Sequence, residues 1–356
     1  MSLTRWWAGF VTRRRPEAAS TVPPPAPRVA PAPAAVVARA AVANDASAAL
    51  ATAEPEQDDE RHVRFFCWLV GAPPAVEARA PEVIAPMLER LDEVIASDAL
   101  RANLLPRAPH VVPQLMKTLR DESYSSVDVA SRISRDVVLS AEVIRSATSA
   151  YRAKDDHEGE IDLARAVAMI GTAGLRRAIA SVVLRPIFEA GGDTLSAKAA
   201  VRIWKDADKK ARLCAAIAGQ QSLDPFDGYL AGLLHNSGWT AALRAIDGFE
   251  ELLISGDDLA HAEVVPQMLR RRDALFGAIV GPWNLSPGMD QLAAEVGRHG
   301  LDAVRSPLGI ALREATRLAA LHSLTPAGQR PASSVPRWTE LAKPVQDCYM
   351  ALSTSA

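Results

Sequence analysis

From Leu104 to Leu324 the apolar residues of this chain recur at three- and four-residue intervals. No segment there alternates apolar and polar residues between hairpin turns, so the pattern admits helices and excludes a sheet. Val111, Leu115, Met116 and Leu119 mark one helix. Ser126 offers an N-cap for a helix over 127–133, and Asp136 caps another carrying Val138, Leu139, Val143, Ile144 and Ala147. Leu163, Ala166, Val167 and Ile170 lead to Gly171, and the mostly apolar run 175–184 suits a central helix. Gly171 and Gly174 bracket a helix-to-helix turn. The spacing predicts further helices over 195–220, 225–234, 239–245, 263–279 and 306–321. The expected fold class is all-α, a multi-helix bundle.

The two ends differ from this middle. Residues 1–60 hold Pro23, Pro24, Pro25, Pro27, Pro31 and Pro33 among alanines, then the acidic run Glu56-Gln-Asp-Asp-Glu60. That composition favours extended polyproline over a packed core and reads as a disordered tether. Within it Leu3, Trp6, Trp7, Phe10 and Val11 share one helical face, followed by Arg13, Arg14 and Arg15. A short aromatic-basic helix of this kind suits an anionic membrane surface or a partner protein. Residues 61–102 combine the Phe65, Phe66, Trp68, Leu69, Val70 cluster with an amphipathic stretch at 83–95. They read as a helical extension that packs on the core, too short to stand alone. Residues 103–322 form the main domain, and 323–356 a linker with a short helix, interrupted at Pro344.

Composition narrows the function. The 356 residues are 49% hydrophobic and 23% charged, and the net charge of −2 gives no general drive toward nucleic acid. Aromatics at 5% leave few stacking platforms for single-stranded RNA. Cys67, Cys214 and Cys348 are far apart and form no CxxC pair, which suits reduced thiols in a reducing compartment. No apolar run approaches the ~20 residues of a membrane span, and the first residues lack a secretory pattern. The expected location is cytoplasmic.

One segment bears on chemistry. The apolar helical run Tyr229-Leu-Ala-Gly-Leu-Leu-His-Asn-Ser-Gly238 ends in His235-Asn236. His followed by Asp at such a place would suggest a metal-dependent phosphohydrolase, each side chain giving a ligand to an ion that activates water. Asn236 is a neutral amide that ligates hard cations poorly and takes no proton. Ser237 lacks a Gly-x-Ser-x-Gly elbow. His62, His110, His261, His299 and His322 have no partner at metal spacing, and His157 lies in a charged loop. Lys205, Lys209 and Lys210 with Asp206 and Asp208 read as a solvated, mixed-charge helix face.

A series of short stretches then falls into register: Leu104-Leu-Pro-Arg-Ala-Pro109, Val129-Ala-Ser-Arg-Ile-Ser-Arg-Asp136, Val143-Ile-Arg-Ser-Ala-Thr-Ser-Ala-Tyr151, Asp162-Leu-Ala-Arg-Ala-Val-Ala-Met-Ile-Gly171, Ile203-Trp204, Tyr229–His235 and Trp283-Asn-Leu285. In order and spacing they resemble the HDOD domain, the HD-related output domain of bacterial signalling proteins, over about residues 103–322. The resemblance implies a helical fold related to the HD phosphohydrolases, and a regulatory or output role in two-component, chemotaxis or cyclic-dinucleotide pathways.

It also implies where a metal site would lie. An HD phosphohydrolase needs an early His, the His-Asp dyad and a later Asp. The early His falls on Asp206, the dyad reads His235-Asn236, and a later acid such as Asp273 has no secure alignment. Asp206, His235 and Asn236 are thus candidates for a vestigial site, with no catalytic residue, metal or cofactor expected. The favoured function is a non-enzymatic signalling module acting on protein partners. The alternatives are a divergent metal-dependent phosphohydrolase and a sensor of nucleotides or cyclic dinucleotides.

Overall fold

The structure is a computed structural model, and it describes residues 55–73, 81–105, 163–252, 259–325 and 335–352, with Ser140, Ala141, Val143 and Ile144. All belong to one compact unit spanning Ala53–Ala356. The N-terminal residues Leu3, Trp6, Trp7, Phe10, Arg13, Arg14 and Arg15, the proline-rich run, and most of 106–162 with His110 and His157 lie outside the described residues. Among the described residues every regular element is helical.

The α-helices are α1 (Pro55–Val70), α2 (Pro81–Ala96), α3 (Asp98–Leu104), α4 (Leu163–Leu184), α5 (Leu195–Gln220), α6 (Pro225–His235), α7 (Ser237–Ile246), α8 (Val265–Val280), α9 (Pro287–His299), α10 (Pro307–Leu324) and α11 (Lys343–Leu352). Short 3-10 turns join several of them. α5, 26 residues and so about 39 Å long, is the axis of the packing. It lies against α6, α10, α11 and α1, while α8 packs on α7, α9 and α2.

The starts of these helices follow from sequence punctuation. Asp224, Ser286 and Ser306 each precede a proline at the first helical position, and each side chain accepts a backbone N–H one turn in, from Phe226, Met289 and Gly309. Proline there gives up a donor that has no intrahelical partner anyway. The same logic accounts for α9, which the periodicity alone does not predict: Pro287-Gly288 looks like a turn but opens a helix. In α11, Pro344 stands in the first turn and starts the helix, where an interruption was expected. α1 likewise begins at Pro55, inside the stretch read as tether.

α4 is two helical pieces joined at Gly171, whose φ of 59° and ψ of −174° suit only glycine. One stretch, Arg165–Ile187, is long and apolar enough to cross a membrane by length and composition, and half of it is buried within the fold. This corrects the expectation that no apolar run approached that length; small Ala, Gly and Val residues make the stretch apolar without bulk.

α1, α2 and α3 are held on the core in two ways. Phe66 is fully buried with its ring 5.3 Å from that of Trp239 on α7. Arginines of the core then grip main-chain oxygens: Arg202 donates to Leu69 O at 2.7 Å, Arg244 to Leu104 O at 2.6 Å, and Arg271 to Leu88 O at 3.3 Å. At the other end Tyr349 of α11 is buried edge-on against His322 and Trp338.

Candidate functional site

Two close helix contacts assemble the site. α6 crosses α5 at Gly232, where a Cβ would stand 2.5 Å from Lys210 O. Glycine therefore lets the backbones approach, and His235 and Asn236, at the end of α6, arrive beside Asp206 and Lys210 on α5. The chain turns at Asn236 straight into α7. There Gly238 passes so close to α8 that a Cβ would be driven into the carbonyl oxygen of Arg272. That contact brings Arg272 and Asp273 to the other edge of His235.

Asp206, Lys210, His235 and Asn236 are each 0% exposed. Lys210 Nζ lies 2.6 Å from Asn236 Oδ1, 3.2 Å from Asp206 Oδ2 and 3.3 Å from His235 Nδ1. An ammonium has three donors and no acceptor, and here each donor meets one acceptor. Asn236 in turn gives its two amide hydrogens to Asp206 Oδ2 at 2.9 Å and Ile203 O at 3.0 Å. The amide orientation is fixed by these partners, because its oxygen must face the ammonium and its nitrogen the two acceptors.

The second half of the cluster is ionic. With Nδ1 accepting from Lys210, His235 donates from Nε2 to Asp273 Oδ1 at 3.0 Å. Arg272 donates to the same oxygen at 2.8 Å and 2.7 Å, and Leu301 N donates to Asp273 Oδ2 at 2.8 Å. The Arg272 guanidinium also lies 5.3 Å from the Trp239 ring centroid, and Phe276 meets the His235 ring edge-on at 5.2 Å. Lys210 and Arg272 thus balance Asp206 and Asp273, the composition a buried charge cluster requires.

The electrostatics follow from burial and neighbours. Burial, then the Arg272 and Lys210 cations, push the His235 imidazole down to about 3, so it is neutral at physiological pH. Burial pulls the Lys210 ammonium below its ordinary value, opposed by the Asp206 carboxylate. Burial would raise Asp273, but the Arg272 cation and the hydrogen bonds from His235 and Leu301 outweigh it and hold the carboxyl at about 2. Cys214, on the same helix as Lys210, is pushed up to about 12 by burial and stays a thiol.

The structure therefore brings together Asp206, His235 and Asn236 with the later acid Asp273, and adds Lys210 and Arg272. Lys210 and Asp206 correct the reading of 205–210 as a solvated face. With Ile203, Ala207 and Cys214, Lys210 continues an i, i+4, i+7, i+11 stripe that faces the core, and Asp206 adjoins it. Lys205 is exposed, and Lys209 is half-buried, bonding Ser323 Oγ at 3.0 Å with its ammonium 5.7 Å from the Trp68 ring centroid. His261 accepts from Glu263 N, away from the cluster. Ser237 Oγ is buried without a hydrogen-bond partner among the described residues.

The metal implied by an HD pattern does not fit this arrangement. The carboxylate, amide oxygen and imidazole lone pair that could ligate an ion all converge on the Lys210 ammonium. Among the described residues no group of three or more His, Cys, Asp or Glu side chains is placed to hold a metal ion.

The HDOD domain model matches residues 105–297, more than half of the chain, and the chain belongs to the HDOD family. Its fold is similar to the crystal structure of a candidate metal-dependent phosphohydrolase from Shewanella amazonensis SB2B, with 19% identity, a TM-score of 0.53, and coverage of 77% of this chain and 99% of that one. An HDOD domain protein of unknown function from Geobacter sulfurreducens gives 20% identity and a TM-score of 0.45 over 69% of this chain and 82% of that one. An uncharacterized protein of Treponema pallidum is 24% identical over 181 residues, 50% of this chain and 33% of that protein. The chain thus spans about a third of the length of that curated relative.

Proposed function

We propose that this chain is a non-enzymatic output module of a signalling pathway, located in the cytoplasm, that acts by binding other proteins. One observation carries the reading: the would-be catalytic cluster is sealed and internally neutralised. Asp206, His235 and Asn236 have no exposed surface, so they present no face to a phosphate ester. Each of them turns one acceptor on Lys210, and His235 and Asn236 spend their remaining hydrogen bonds on Asp273, Asp206 and Ile203 O. Hydrolysis through a metal needs an open coordination position for water, and a closed ring around an ammonium offers none.

The test is an assay of the purified full chain with Mn²⁺ or Co²⁺ against nucleoside triphosphates, phosphomonoesters and cyclic dinucleotides, beside His235→Ala. Equal background rates are expected. Metal-dependent turnover abolished in His235→Ala would overturn the reading. The interaction side is tested by crosslinking and co-purification from the native host, where components of a two-component or cyclic-dinucleotide pathway are the expected partners. A chain recovered alone after crosslinking would count against it.

A further inference from the structure

We propose that the Lys210 ammonium is a resident cation, filling a cage of Asp206, His235 and Asn236 that would otherwise accept a divalent transition metal. The inference rests on the reading of the cluster as sealed and non-catalytic, and adds what does the sealing.

The geometry carries it. Three chemically different groups, a carboxylate oxygen, an amide oxygen and an imidazole nitrogen, aim lone pairs at one point, and that point is Lys210 Nζ. The carboxylate and the imidazole are donor types that bind divalent ions of the Mn–Zn series, and the amide oxygen is a weaker, neutral donor beside them. Nothing in the folding of a helix requires a lysine there. Apolar side chains of similar volume often serve a core as well as a buried ion pair.

The orientation of each donor is also cation-directed. His235 shows its bare nitrogen to Lys210 because its Nε2 proton is held by Asp273 Oδ1. That carboxylate–imidazole pairing fixes the ring for a cation on its far side. Asn236 turns oxygen toward Lys210 and spends its amide hydrogens elsewhere. Asp206 Oδ1, fully buried, has no hydrogen-bond partner among the described residues. One carboxylate oxygen is thus spare, a ligand for an ion with more coordination positions than an ammonium has donors.

Lys210 reaches the cage from α5, one helical turn beyond Asp206, so its stem occupies the volume a hydrated ion would need. Shortening the side chain to alanine removes the charge and opens that volume. The donors would then close toward the roughly 2.0–2.2 Å of a metal–nitrogen or metal–oxygen bond. Methionine removes the charge and keeps most of the volume, so it separates the two effects.

The experiment uses the full chain as wild type, Lys210→Ala, Lys210→Met and Lys210→Ala with His235→Ala. Each is titrated with Mn²⁺ or Co²⁺ alone, with thermal unfolding and Co²⁺ visible absorption as readouts. Wild type and Lys210→Met are expected to ignore both ions. Lys210→Ala is expected to gain Co²⁺ ligand-field bands and a rise in Tm of roughly 5 °C at a hundredfold excess of ion over Kd, and the double variant to lose both. If Lys210→Ala does not fold alone, its refolding with Mn²⁺ is compared with refolding in NaCl, and recovery in Mn²⁺ only is the expected result. A Lys210→Ala chain silent to both ions, or unfolded in Mn²⁺, overturns the resident-cation proposal and leaves the sealed-site reading standing. Binding of Co²⁺ by wild type, lost in His235→Ala, overturns the sealed-site reading itself.

Discussion

Lys210 places its ammonium 2.6 Å from the side-chain oxygen of Asn236, and neither residue meets solvent. The pair explains why an amide stands where an HD dyad has a carboxylate. Asn236 must accept from a cation on one side and donate to Asp206 and to Ile203 O on the other, and aspartate can only do the first.

Asn236→Asp should therefore destabilise the protein without creating an enzyme. The new carboxylate would face Asp206 Oδ2 and Ile203 O with no hydrogen to give either, or would take up a proton. Loss of about 2–4 kcal/mol is expected, typical of a buried polar group left unpaired beside a like charge. Urea denaturation measures it, and an unchanged midpoint would contradict the hydrogen-bond assignment.

Acid should unfold the protein through its histidines. The value for His235 in the fold is about 3, against about 6.5 when unfolded, so the unfolded chain takes the proton first. Stability is full above pH 6.5 and falls as pH drops toward 3, by up to about 1.4 kcal/mol per pH unit for one proton. His322, lowered to about 4 by burial and Lys209, adds the same sign over a narrower window. Asp273, at about 2 in the fold, contributes stability that is lost only below pH 4. His235→Gln should remove about one proton from the slope between pH 6 and 4, measured by denaturation at a series of pH values.

Arg272 and Asp273 should behave as a coupled pair. Arg272→Met leaves Asp273 buried with a charge that His235 and Leu301 N alone must satisfy, and should cost about 3–5 kcal/mol. Asp273→Asn added to it should recover part of that loss. A double-mutant cycle checks this, and strict additivity would show that the two side chains act independently.

Gly238→Ala should be more damaging than a helix-favouring substitution ordinarily is. Elsewhere in a helix the change gains up to ~1 kcal/mol, but here the methyl meets the backbone oxygen of Arg272. A drop of at least 2 kcal/mol is expected, of the size seen when a core is overpacked, with Gly232→Ala behaving alike against Lys210 O. Thermal melts of the two variants decide it.

Much of this fold could be read in advance because helices declare themselves locally. The spacing of 195–220 gave the boundaries of α5, and Ser306-Pro307 marked the start of α10. The position of Asp206 beside the His235-Asn236 pair was legible too, though only through the family pattern. Lys210 was not, because a lysine among Lys205, Asp208 and Lys209 carries the composition of a surface, and composition does not report which side of a helix faces inward. The i, i+7 relation to Ile203 was the available signal. Asp273 was legible only as a later acid without a secure alignment: its partner lies 38 residues away, and only tertiary packing joins them.

The arginines that hold the N-terminal helices bind main-chain oxygens of Leu69, Leu88 and Leu104. A peptide carbonyl is the same whatever side chain it belongs to. Apart from Asp92, whose exposed carboxylate also pairs with Arg271, the outer faces of these helices can therefore be rewritten residue by residue while their seat on the core is kept, which leaves that surface free to be tuned for a new acquaintance without refolding the domain beneath it.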